Sequence, residues 1–199
     1  MNKFAYITEQ NKILADWMFP GGNGPVLSTE YRMCTVISMV GTLLEMVRNQ
    51  PSTAAAQMAC IYLELDALAN ESENPLRSCF TNLTAPEIDS FKDLNEMLEG
   101  DLVSDSSVAG LCLRVGSSAG LMCSSINCKL TGSSYLISSG SFRYDIARLI
   151  IDLLYLAKKL DIDFEKALME TFNNLAVEFR ATVRLEENPV HQSIRKKKC

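Results

Sequence analysis

The sequence predicts an all-α fold, a helical bundle, and three observations carry that expectation. Apolar residues recur at helical spacing along nearly the whole chain, as in helices that each turn one face inward. β-Branched alternation bounded by hairpin turns is absent. The order of elements also repeats. A short amphipathic helix, a loop, a long apolar helix with a central glycine, a short break and a further apolar helix occur in 1–70 and again in about 86–160.

Taken in order, Phe4, Ile7, Ile13, Leu14 and Trp17 place a helix over 4–18. "FPGGNGP" (19–25) then breaks the chain. A glycine-rich loop can cradle phosphate, but this one lacks the GK[ST] ending and follows a helix, which favours a plain connector. A strongly apolar helix spans about 28–49, with Ser28 or Thr29 as its cap. After "NQPST" a third helix covers 53–70, with Ser52 available to cap it. "NESENPLRSCFTNL" (70–83) is polar and turn-rich and reads as a linker, 71–85. Thr84 and Glu87 form a capping box that opens a helix through Leu98. Another long apolar helix follows at about 106–130, then a Ser/Gly loop (130–141). The most regular helix runs from Phe142 to Leu160. Asp161 or Asp163 ends it and starts a last helix over 164–180, before a basic tail, 181–199.

The bulk numbers bound function. With 199 residues and 47% hydrophobic content, the chain can bury one sizeable core or two small cooperating ones. Net charge of −5 argues against a dedicated nucleic-acid surface. The basic run Arg195–Lys198 reads as a solvated tail. Seven cysteines without a CxxC, and a single histidine, His191, in the tail, leave no zinc site and no Ser-His-Asp or Cys-His arrangement. Aromatics are 8% and scattered, so no platform for stacking bases is expected. No apolar signal core opens the chain, and no run approaches the roughly 18 apolar residues of a membrane span. A cytoplasmic, reducing setting and no membrane association are the expectations.

The repeat can be aligned. "ISMVGTLLEMV" (37–47) matches "GSSAGLMCSSI" (116–126), with Gly41 on Gly120. "AAAQMACIYLELDALA" (54–69) matches "FRYDIARLIIDLLYLA" (142–157), with Ala67 on Ala157. Duplication of a helical hairpin is the favoured reading; that any two apolar hairpins look alike is the other. In the second copy, "SVAGLCLRVGSSAGL" (107–121) and "LLYLAKKLDIDFEKAL" (153–168) resemble the all-α nucleoside triphosphate pyrophosphohydrolases, the MazG-like proteins. The resemblance covers about 86–180, and 1–70 more weakly. It implies two MazG-like hairpins packed as a four-helix core with flanking helices.

That family's signature is a helix reading EExGE followed by a helix reading ExxD. Its carboxylates hold Mg²⁺, which offsets triphosphate charge and activates water. Here the corresponding positions hold Ser117, Ser118, Leu121, Asp145 and Arg148, so one carboxylate of five remains. In the first copy they hold Ser38, Met39, Thr42, Ala55 and Met58, and none remains. Asp145 and Arg148, three residues apart on a helix, are expected to pair with each other. The serines suit close helix approach, the favoured reading, or a serine-lined ligand cleft. The expectation is a pseudoenzyme with no catalytic residue and no metal or other cofactor, kept for nucleotide binding or protein assembly. Ser117, Ser118, Asp145, Arg148 and Ser38 are its candidate ligand residues, and self-association or a protein partner is expected. The alternatives are an active Mg²⁺-dependent pyrophosphohydrolase using relocated acids such as Asp145, Asp152, Glu64 and Asp66, or an unrelated helical adaptor.

Overall fold

A helix that is apolar on nearly every side has to be enclosed by others. Residues Ala54–Glu71 form such a helix, α3, with Met58, Ile61, Tyr62, Leu65 and Leu68 among its buried side chains. The computed structural model describes residues 2–18, 29–71, 76–81, 88–98, 106–131 and 141–186. The other helices are α1 (Lys3–Met18), α2 (Thr29–Asn49), α4 (Leu76–Thr81), α5 (Phe91–Leu98), α6 (Val108–Thr131), α7 (Ser141–Lys159) and α8 (Phe164–Glu178). No strand occurs among the described residues. The fold is an all-α helical bundle.

Two hairpins, α2–α3 and α6–α7, make the centre; α2 also lies on α6 and α3 on α7, which closes a four-helix core. Around it, α1, α4 and α8 lie against α3, while α5 touches α7. One hydrophobic core runs through both halves of the chain, from Phe4 to Leu185. Five aromatic rings tie the flanking helices to α3. Phe91 of α5 lies 5.1 Å from Phe4 of α1, 5.3 Å from Tyr62 of α3 and 5.4 Å from Phe164 of α8. Phe80 of α4 joins through Phe4 at 5.3 Å. Tilted and edge-on contacts at these spacings add to the area such rings bury.

The ends of elements differ from expectation in informative ways. Within the expected linker, Leu76–Thr81 are helical, and Leu76, Cys79 and Phe80 belong to the core. Polar flanks hid this short apolar stretch. Residues Pro51–Thr53 form a 3₁₀ turn that runs straight into α3, so Ser52 lies within that turn. Residues 88–90 are not helical, and α5 opens at Phe91. Its cap is Ser90, whose hydroxyl accepts from the Asp93 amide at 3.2 Å and donates to Asp93 Oδ2 at 2.8 Å. Ser28, the Thr84–Glu87 capping box, the 19–25 loop, residues 132–140 and residues 187–199 lie outside the described residues.

Both candidates named for the α7–α8 junction are used. Asp161 takes a left-handed φ of 56°, and the Ile162 amide closes onto the Ala157 carbonyl at 2.9 Å. Asp163 then caps α8 by accepting from the Lys166 amide. After α8 the first six residues of the expected tail, 181–186, lie on the bundle. Arg180 turns the chain with φ 56°, and Ala181, Val183 and Leu185 are buried in alternation with exposed neighbours. The Asn173 side chain holds Leu185 by both backbone groups, at 3.1 and 2.9 Å, and the Tyr6 hydroxyl donates to the Arg184 carbonyl at 3.0 Å.

Tyr62 is fully buried and its hydroxyl has no hydrogen-bond partner. A buried unpaired hydroxyl carries a desolvation cost of about 1–3 kcal/mol. Tyr62→Phe keeps the ring contacts and removes that cost, so we expect it to raise unfolding free energy by about 1 kcal/mol. Urea denaturation monitored by circular dichroism measures it.

Candidate functional site

Residues seven apart on a helix share a face. On α6, Ser118 and Ser125 stand in that relation, and on antiparallel α7 so do Asp145 and Asp152. The two pairs therefore meet in register. Ser118 Oγ donates to Asp152 Oδ2 at 2.6 Å, and Ser125 Oγ donates to Asp145. Asp152 is fully buried. Its Oδ1 accepts from Arg114 Nε at 3.0 Å and from a terminal guanidinium nitrogen at 2.8 Å. The guanidinium also lies over the Tyr155 ring, 5.9 Å from its centre. An unpaired carboxylate at that depth would cost several kcal/mol. Arg114 and Ser118 offset that cost.

This seam corrects part of the sequence reading. Ser118 and Asp145 do lie on the α6–α7 interface, but their partners are Asp152 and Ser125. The expected Asp145–Arg148 pair is not among the ion pairs of the described residues, because Asp145 turns toward α6. Arg148 is half-buried on α7. Ser117 and Ser38 are exposed on the outer faces of α6 and α2. Ser38 takes part through its carbonyl, which accepts the Thr42 hydroxyl at 3.1 Å. Arg114 and Ser125 were missed. The matched seven-residue spacing of serines on one helix and aspartates on the next was the signal available.

A second polar locus lies on the other side of the core. Asp66 of α3 is buried beneath α1, where it accepts from the Thr8 hydroxyl and from Asn11 Nδ2 at 3.0 Å. Asn11 Nδ2 also reaches the Leu63 carbonyl at 2.9 Å. Burial pushes the Asp66 carboxyl above its ordinary value, partly offset by the two hydrogen bonds and by Lys12. Nearby, Arg32 of α2 clasps two carboxylates of α3. It meets Glu71 through Nε at 2.7 Å and a terminal nitrogen at 2.6 Å, and Glu64 at 2.8 Å. These groups border a cavity of about 300 Å³ walled by α1, α2, α3 and α8.

The acids named for a relocated metal site thus fall in two separate places, Asp145 and Asp152 between α6 and α7, Glu64 and Asp66 against α1 and α2. No group of three or more His, Cys, Asp or Glu side chains able to hold a metal ion occurs among the described residues. Burial pushes the Cys79 thiol up to about 12, which makes it a poor nucleophile. No helix among the described residues is long and apolar enough to cross a membrane.

Comparison of the chain with protein-family models, with curated proteins and with solved structures finds no match.

Two predictions follow from the polar loci. Ser118→Ala leaves Asp152 Oδ2 without its donor, and we expect a loss of about 1–3 kcal/mol in chemical denaturation. For Asp66, the folded-state pKa is raised above the unfolded value near 3.8. The folded state therefore binds more protons across the interval above 3.8, and this residue's contribution to stability falls as pH rises through it. Asp66→Asn removes that slope. The unfolding free energy of the parent relative to the variant should fall as pH rises above 3.8, measured by urea denaturation of both proteins across the acidic range.

Proposed function

We propose that this chain is a non-catalytic, MazG-like helical bundle whose work is assembly with a second copy of itself, through the outer face of α2 and α6. One observation carries the reading: that face is exposed, uncharged and partly apolar. The two helices are adjacent and antiparallel. A side chain at Gly116 would meet Leu44 at 3.7 Å, and at the other end Cys34 lies close enough to Cys123 to act on it electrostatically. Between these points the exposed positions are Ile37, Ser38, Gly41 and Thr42 on α2, and Ser117, Gly120, Leu121 and Ser124 on α6. Leu113, at 76% exposure, extends the face.

No charged residue occurs from Met33 to Leu44 or from Val115 to Cys128. A solvated helix face ordinarily carries charge. In a chain of net charge −5, two copies repel where acidic surfaces meet, and a neutral face removes that opposition. Such a face can also meet its own image across a twofold axis. Gly41 and Gly120 add weight. Each sits inside a helix with nothing among the described residues within 4 Å of where a side chain would go. Glycine there costs about 0.5–1 kcal/mol relative to alanine, and no neighbour among the described residues requires it. Close approach of a second helix would.

The non-catalytic part of the reading is supported by the engaged carboxylates: Asp152, Asp145, Asp66, Glu64 and Glu71 each accept from a partner within the chain. Nucleotide binding is the other version of the same reading, with half-buried Arg148 as phosphate partner.

Sedimentation equilibrium should show a concentration-dependent dimer, reduced to monomer by Ser117→Arg or Gly120→Arg with the unfolding midpoint unchanged or raised. A parent chain that stays monomeric at every concentration overturns the assembly reading, and calorimetric heat with a nucleoside triphosphate would favour the nucleotide version. Mg²⁺-dependent release of pyrophosphate overturns the non-catalytic one.

A further inference from the structure

We infer that the cavity between α1, α2, α3 and α8 is a binding site for a small organic cation, an amine with an apolar body, a property separate from the assembly proposed above. Its floor is apolar, with Leu14, Met39, Leu63 and Leu175 among its walls. A volume of about 300 Å³ is at the lower end of the range for small-molecule pockets, enough for a compact ring or a short chain. The cavity lies along a flank of α3, through Cys60, Glu64, Ala67 and Glu71, where burial is incomplete.

Charge at the rim selects the ligand class. Three carboxylates, Glu64, Asp66 and Glu71, face two cations, Arg32 and Lys12. Arg32 already gives three N–H groups to Glu64 and Glu71. An anionic ligand would therefore have to approach a guanidinium that is flanked by carboxylates. A cation meets the opposite situation. Glu64 accepts from Arg32 at Oε1, and its Oε2 has no hydrogen-bond partner among the described residues. An ammonium donating to Glu64 Oε2 would bring the rim to neutrality while its apolar body fills the cavity. A hydrogen bond between two charged groups, partly shielded from water, is stronger than one between neutral groups.

The test uses calorimetry and thermal shift on the full chain with three probes of matched shape: phenethylamine, phenethyl alcohol and phenylpropionate. Phenethylamine should bind and raise the melting temperature with concentration, while the alcohol and the carboxylate bind at least about tenfold more weakly. Ala67→Leu fills the cavity and should abolish binding; Glu64→Gln should weaken the amine about tenfold and leave the alcohol unchanged. Equal binding of amine and alcohol, binding of none of the probes, or full amine binding by Ala67→Leu each overturns the proposal. Running the same titration on Gly120→Arg separates it from assembly, since Gly120 is on α6, no described residue of which lines the cavity, and the variant should bind the amine as the parent does.

Discussion

Everything in this bundle is arranged around the enclosure of α3. A helix apolar on almost all sides cannot face water, so α1, α2, α4, α7 and α8 each cover part of it. The aromatic group formed by Phe4, Tyr62, Phe80, Phe91 and Phe164 is the part of that cover in which short elements, α4 and α5, find their places. Neither is long enough to be a stable helix by itself. Each is fixed by the ring it contributes. Enclosure also dictates the polar chemistry at the centre. Asp66 lies on the covered helix, so α1 must bring Thr8 and Asn11 to it. Glu64 and Glu71, nearer the rim, take Arg32 instead.

The same reasoning applies to the α6–α7 seam. Buried carboxylates persist where donors are supplied, and here they come from serines two turns apart and, for Asp152, from one arginine braced by an aromatic ring. Serines that suggest an emptied site when α6 is viewed alone become, beside α7, the donors that make two aspartates tolerable. Close helix approach and polar satisfaction are met by the same small residues. The serines on the outward side of α6 have no such task, and this division of one helix into a satisfied inner face and a neutral outer face underlies the assembly reading.

Much of the architecture was legible because long amphipathic helices announce themselves by period. The helices at 4–18, 28–49, 53–70, 106–130 and 142–160 stand within a residue or two of their observed limits. Short elements were not. Leu76, Cys79 and Phe80 are too few to show a period among polar neighbours, and their burial depends on rings distant in sequence. Side-chain pairing was legible only in part. Sequence places Ser118 and Asp145 on facing helices, but local spacing along α7 points Asp145 at Arg148. Register between two helices decides instead, and it becomes readable only once Ser118 is set against Asp152 and Ser125 against Asp145. The cavity rim joins residues from Asn11 to Glu71, a span over which no local pattern operates.

The segment after α8 has a kinetic consequence. Residues 181–186 are held by one asparagine amide, one tyrosine hydroxyl, the Ala181 amide on the Ala176 carbonyl and three small or medium apolar side chains, far less than any core helix commands. They form the natural unit of local opening. Amide exchange at Leu185, and cleavage by a protease within this stretch, would then report the lifting of the strap and not the melting of the bundle beneath it.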